Sequence, residues 1–113
     1  MARGPLKLEV EYTTQALADL NVVWDWNVEQ RGVRHADDYL AFLKAGTLKV
    51  ARSPNPGRPV PTAEIYRYAL IRRRRKGYGH LAVFIVEGQT FRVLRYFHTS
   101  QDWQAILADK SPP

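Results

Sequence analysis

The sequence predicts an α+β fold: an N-terminal strand, a helical hairpin, a three-stranded antiparallel meander and a short C-terminal helix. Two observations carry this. Residues 64–98 hold three strand-like apolar runs separated by short glycine-containing breaks, the pattern of a meander. Residues 14–51 carry apolar side chains at helical spacing in two successive blocks.

Leu6, Leu8, Val10 and Tyr12 alternate with Lys7, Glu9 and Glu11, as in a strand with one charged face. Thr13 or Thr14 can cap the helix that follows. Leu17, Leu20, Trp24 and Val28 form the expected apolar stripe of that helix, which should end near Gly32. In the second helix Ala36, Leu40, Leu43, Thr47 and Val50 share a stripe, widened by Tyr39 and Phe42. Asp37 and Asp38 are expected in its first turn, and Lys49 and Arg52 near its end, as the helix dipole favours. Gly46 reads as an interior weakness of about 1 kcal/mol against Ala. Trp24, Trp26, Tyr39 and Phe42 read as core or partner-facing aromatics. Residues 53–62 contain four prolines and a glycine, which exclude a helix or central strand and predict a surface loop. The meander follows, and then a turn leads into a short helix with Trp103, Ile106 and Leu107 on its apolar side.

At 113 residues the chain, 1–113, reads as a single domain. Hydrophobic content of 45% with 25% charged residues marks a globular chain. No apolar run approaches the roughly 20 residues that span a bilayer, and residues 1–5 are too short and polar for a signal peptide. There is no cysteine, which excludes disulfides, thiolate zinc sites and cysteine nucleophiles and fits a cytoplasmic location. The net charge of +6 is lopsided. Residues 1–57 balance, whereas residues 58–113 hold ten basic groups against Glu64, Glu87, Asp102 and Asp109. The excess centres on Arg72, Arg73, Arg74, Arg75 and Lys76, and it implies an acidic or polyanionic partner. The same charges could also serve only to keep a sheet edge soluble.

The order strand, helix, helix, Pro56-Gly57-Arg58 loop, meander and tail resembles the ParE/RelE superfamily of bacterial type II toxins. His80-Leu81-Ala82-Val83-Phe84 looks like that family's third strand, residues 86–90 like its hairpin, and residues 93–102 like its closing strand. The resemblance runs from Leu6 to about Leu107 and implies a RelE/ParE-like fold. It also implies a cognate antitoxin with an acidic C-terminal segment that folds over the toxin. RelE-like members cut mRNA on the ribosome. ParE-like members have a longer hairpin and inhibit DNA gyrase without a known enzymatic site. Neither branch implies a cofactor, a metal or a membrane; a homodimer is an assembly held open.

An RNase of this kind must deprotonate a 2′-hydroxyl, stabilise a pentavalent phosphate and protonate the leaving oxygen. Tyr78, His80, Arg95 and His98 are the catalytic candidates for that branch, with Arg73, Arg75 and Tyr96 beside them. Strand alternation puts Arg73 and Arg75 on one face and Arg72 and Arg74 on the other, so only one pair can face a given substrate. Several departures favour the ParE-like branch. Phe84 stands where many RelE-like relatives carry a tyrosine, no arginine lies in the third strand, and Gln101 replaces the usual arginine before Asp102. The histidines also have structural readings, His98 as a hydrogen-bond partner of the following turn. The sequence-based expectation is therefore a gyrase-binding toxin, with Arg72, Arg73, Arg74, Arg75 and Lys76 meeting target or antitoxin. The alternative is a ribosome-dependent mRNA endonuclease. Three histidines without cysteine give no metal-ligand spacing. A plain single-strand nucleic-acid module ranks third, on the arginines and nearby tyrosines.

Overall fold

A computed structural model describes residues 8–74 and 79–108. Strand β1 (Glu9–Tyr12) leads into helices α1 (Thr14–Arg31) and α2 (Val33–Ala51). Strands β2 (Arg58–Val60), β3 (Ala63–Ile71), β4 (His80–Glu87) and β5 (Thr90–His98) follow, and α3 (Trp103–Ala108) comes last. The five strands form one sheet in the order β1-β5-β4-β3-β2. β1 pairs with β5 in parallel, Val10 opposite Phe91; the other pairings are antiparallel. The expected α+β architecture, hairpin and meander are present.

Thr13 explains where α1 begins. Its Oγ1 accepts the Ala16 N–H at 3.1 Å and donates to the Leu94 carbonyl at 2.9 Å, while its own N–H reaches the Val93 carbonyl. One residue thus extends the β1–β5 ladder and caps the helix. That anchor also sets the helix phase. Ala16, Leu20 and Asn27 are buried and Val23 packs on the core, whereas Leu17, expected inside, is 48% exposed. The expected stripe holds at Leu20, with Trp24 and Val28 half-buried, and departs at Leu17 because α1 is apolar on more than one side: Leu17, Val22 and Trp26 lie outward. Gly32, at φ 90°, is the whole connection to α2. Because α2 starts at Val33, Asp37 and Asp38 sit beyond its first turn, and Asp37 instead accepts the Trp24 indole N–H at 2.9 Å.

Ala36, Leu43, Thr47 and Ala51 bury one face of α2, with Leu40 and Val50 half-buried. Gly46 has a positive reason to be glycine. A Cβ there would sit 2.6 Å from Ile71 Cγ2, so the missing side chain lets α2 approach β3. The hairpin and the sheet enclose Leu20, Leu43, Phe84, Phe91, Val93 and Tyr96. Phe84 and Phe91 stack at 4.1 Å. Within this core Thr47 Oγ1 donates to the Leu43 carbonyl and lies 2.6 Å from the Tyr96 hydroxyl.

The opposite face of the sheet is covered in part by α3. Leu81, Val83 and Phe97 are buried there, and Trp103 packs on Tyr68 at 4.8 Å. Ile106, expected in the apolar stripe of α3, is exposed, and Leu107 is the side chain that packs inward. Residues 53–62 are not wholly loop. Residues 58–60 pair with β3 as an edge strand, and Val60 is fully buried. Pro59 is tolerated because an edge strand has one row of N–H groups without a ladder partner. Arg67 on β3 holds the preceding turn, donating to the Pro56 and Gly57 carbonyls at 2.7 and 3.0 Å.

Candidate functional site

β4 opens with His80 and β5 closes with His98, and the antiparallel register places the two opposite each other. Their rings meet edge to face, centroids 5.2 Å apart. The Tyr39 hydroxyl of α2 lies 2.5 Å from His80 Nδ1. Burial, with His98 nearby, pulls the His80 pKa down to about 4, and burial raises that of Tyr39. Near neutrality both groups are therefore uncharged, and the hydroxyl and Nδ1 share one hydrogen bond whose donor follows the imidazole tautomer. An imidazole so depressed is not an imidazolium at pH 7, so it is neither a ready general acid nor a strong base. His98 Nδ1 accepts the Ser100 N–H at 3.1 Å and lies 2.5 Å from Ser100 Oγ. The same turn is closed by the His98 N–H donating to Gln101 Oε1 at 2.8 Å.

Arg95 is tied into the fold. Its Nε and Nη2 donate to the two Asp19 oxygens at 2.8 and 3.2 Å, and its guanidinium lies over the Phe97 ring. Asp19 also accepts the Tyr96 main-chain N–H at 2.9 Å. One carboxylate on α1 thus joins the hairpin to β5 through three charge-assisted bonds. Tyr96 is buried in the core, its hydroxyl facing Thr47, and desolvation raises its pKa strongly. Phe84 is buried too, against Phe91.

The arginine run does not continue the strand. β3 ends at Ile71, and Arg72, Arg73 and Arg74 leave it as an exposed bend, so the alternation of faces does not apply to them. Just beyond the end of β3, Gly79 is buried against the Ile71 carbonyl and the Arg72 stem, an approach that a Cβ would block. Among the described residues Arg72, Arg73 and Arg74 form no ion pair. Arg73 rests over the rings of Tyr39 and Phe42 at 5.5 and 5.1 Å. Arg75, Lys76 and Tyr78 lie outside the described residues.

These elements border an open groove of about 810 Å³ between α1, the start of α2 and the histidine end of the sheet. Val22, Val23 and Trp26 line it from α1, Arg31 and His35 from the hairpin bend, and Arg73 and Arg74 from the loop. Asp19 is the one carboxylate on its described wall, and Arg95 neutralises it. Among the described residues Arg31, Arg73 and Arg74 have no carboxylate partner, and a cleft lined by one sign of charge focuses its field on anions. His80, His98, Arg73, Arg74 and Arg95 are brought together as groove residues; Arg72 is not among them. Sequence reasoning missed Asp19, Arg31 and His35 as groove residues, and left Trp26 and Tyr39 as either core or partner-facing. The available signal was Val22 and Trp26, one turn apart and off the apolar stripe, leading to Arg31. No group of three or more metal-ligating side chains occurs among the described residues.

The family model described as ParE toxin of type II toxin-antitoxin system, parDE, matches residues 10–103. Among solved structures, the chain is similar to one titled "Chromosomal ParDE TA system from P. aeruginosa". The identity is 22%, the TM-score 0.66, and the match covers 80% of this chain and 94% of the other. No curated protein sequence matches.

Proposed function

The chain belongs to the ParE toxin family of type II toxin–antitoxin systems, and on that premise we propose that it is a cytoplasmic toxin that binds and inhibits DNA gyrase. The observation that carries this is how the candidate catalytic groups among the described residues are committed. Tyr39 and a low pKa occupy His80, Ser100 engages His98, and Asp19 engages Arg95. What the groove offers is contact area and positive charge, which suit binding better than acid–base chemistry. Residues 1–113 act as one toxin domain, and no described helix is long and apolar enough to cross a membrane.

The partner that restrains the toxin is a cognate antitoxin whose acidic C-terminal segment covers the basic groove. Charge steers the encounter, and apolar contacts at Val22 and Trp26 hold it. The test is expression of the chain alone, read by gyrase supercoiling and by mRNA cleavage in a translating extract. Loss of supercoiling without cleavage is expected. Cleavage that requires ribosomes would overturn the proposal in favour of a RelE-like mRNA endonuclease.

A further inference from the structure

We propose that the groove also binds a nucleotide unit, an aromatic base carrying phosphate. Its two walls are built of the two chemistries such a ligand needs. On one side Trp26 is 61% exposed, its indole set beside Val22 on α1. An exposed indole in a concave site is a stacking platform for a base. On the other side Arg73 and Arg74 face the groove, and Arg31 closes its end, with no carboxylate bonded to any of the three among the described residues. Guanidinium forks match phosphate oxygens geometrically and keep their charge at every physiological pH.

Arg73 is also held in place. The faces of Tyr39 and Phe42 support its guanidinium, and the His80 contact fixes the Tyr39 hydroxyl. A cation held in this way loses little freedom when it meets an anion. The volume of about 810 Å³ falls within the roughly 300–1,000 Å³ of small-ligand sites. An acidic peptide would use the arginines and cover Trp26 with apolar side chains, but it carries no flat base to stack on the exposed indole face. A nucleotide uses both. It would compete with the antitoxin segment proposed above; the competition rests on that reading, but nucleotide binding by the free chain does not.

The ligand could be a free nucleotide or one unit of a single strand, and the experiment separates them. The purified chain is titrated with ATP, adenosine, inorganic phosphate and a short deoxyadenylate strand. Binding is followed by tryptophan fluorescence and calorimetry at two salt concentrations. Trp26 is the tryptophan that lines the groove, Trp24 being bonded to Asp37 and Trp103 lying on the other face of the sheet, and Trp26→Ala shows how much of the signal is its own. Saturable binding of ATP is expected, with adenosine and phosphate each at least about 10-fold weaker. Trp26→Ala should weaken ATP and leave phosphate unchanged, and the Arg73→Ala/Arg74→Ala variant should weaken both by about 10-fold or more. Both variants alter exposed side chains and should keep the wild-type circular dichroism. ATP equal to or tighter than the strand identifies a free nucleotide; a strand about 10-fold tighter identifies single-stranded nucleic acid. No saturable binding of ATP or strand, or ATP affinity unchanged in either folded variant, overturns the proposal.

Discussion

Replacing Asp19 by alanine should show that Arg95 serves the fold and not a reaction. Asp19 is 12% exposed and Arg95 29% exposed, so the pair sits between the surface and buried regimes. Surface pairs contribute about 0–1 kcal/mol, whereas breaking a buried pair costs about 3–5 kcal/mol. The Tyr96 N–H adds a third bond to the same carboxylate and would lose a charged acceptor, at about 1.5–3 kcal/mol. Water can reach Arg95 once its partner is gone, which offsets part of the loss. The expected cost of Asp19→Ala is therefore about 2–4 kcal/mol. Urea denaturation measures it, with Arg95→Met as the second arm of a double-mutant cycle. Because the two changes remove the same pair, the double variant should fall short of the sum by about 1–2 kcal/mol. A cost below about 0.5 kcal/mol with additive effects would refute the reasoning, since that is how an ordinary surface pair behaves. Loss of toxicity in a fully stable Arg95→Met variant would do so from the functional side.

Other outcomes follow from the same geometry. Leu43→Ala should cost about 2–5 kcal/mol, whereas Leu17→Ala, at the half-exposed position, should stay within about 0.5 kcal/mol; thermal or urea unfolding separates them. Gly46→Ala should destabilise by about 1–3 kcal/mol despite the better helix propensity of alanine, because its Cβ meets Ile71; combining it with Ile71→Ala should cost less than the sum. His80 has a folded pKa of about 4 against an ordinary 6.5, so the unfolded chain binds the extra proton between those values. Stability should therefore be fully present above about pH 6.5 and fall by about 3 kcal/mol as the pH drops to about 4, and His80→Gln should flatten that part of the urea-midpoint profile.

The helical hairpin was legible from the sequence almost to its ends, because Thr13 and Gly32 are local signals acting on local structure. The inner face of α2 was legible for the same reason: one stripe is clearly more apolar than the rest. α1 resisted because Leu17 and Trp26 compete with Ala16 and Asn27 as inward positions. The choice is made by contacts about 80 residues away, at Leu94 and Arg95. β2 was hidden by its prolines, whose meaning depends on whether a strand lies at an edge. The groove was only half visible. Arginines announce themselves in a sequence, but their phase did not survive, since β3 ends at Ile71. His80 was visible as a residue and not as an environment: its low pKa comes from burial near Tyr39 and His98, which only the register brings together.

The parallel pairing of β1 with β5 has a consequence for the order of events during synthesis. Residues 9–12 are made long before their hydrogen-bond partners, residues 90–93. The cap of α1 waits for the same strand, since Thr13 leans on Val93 and Leu94. A nascent chain shorter than about 95 residues can form the hairpin but cannot seat it, because non-local pairing requires both partners to be present. The groove, which needs α1 and the end of β5 together, comes into existence only once β5 has been made. Until that strand is paired, the polypeptide is present and the binding surface is not.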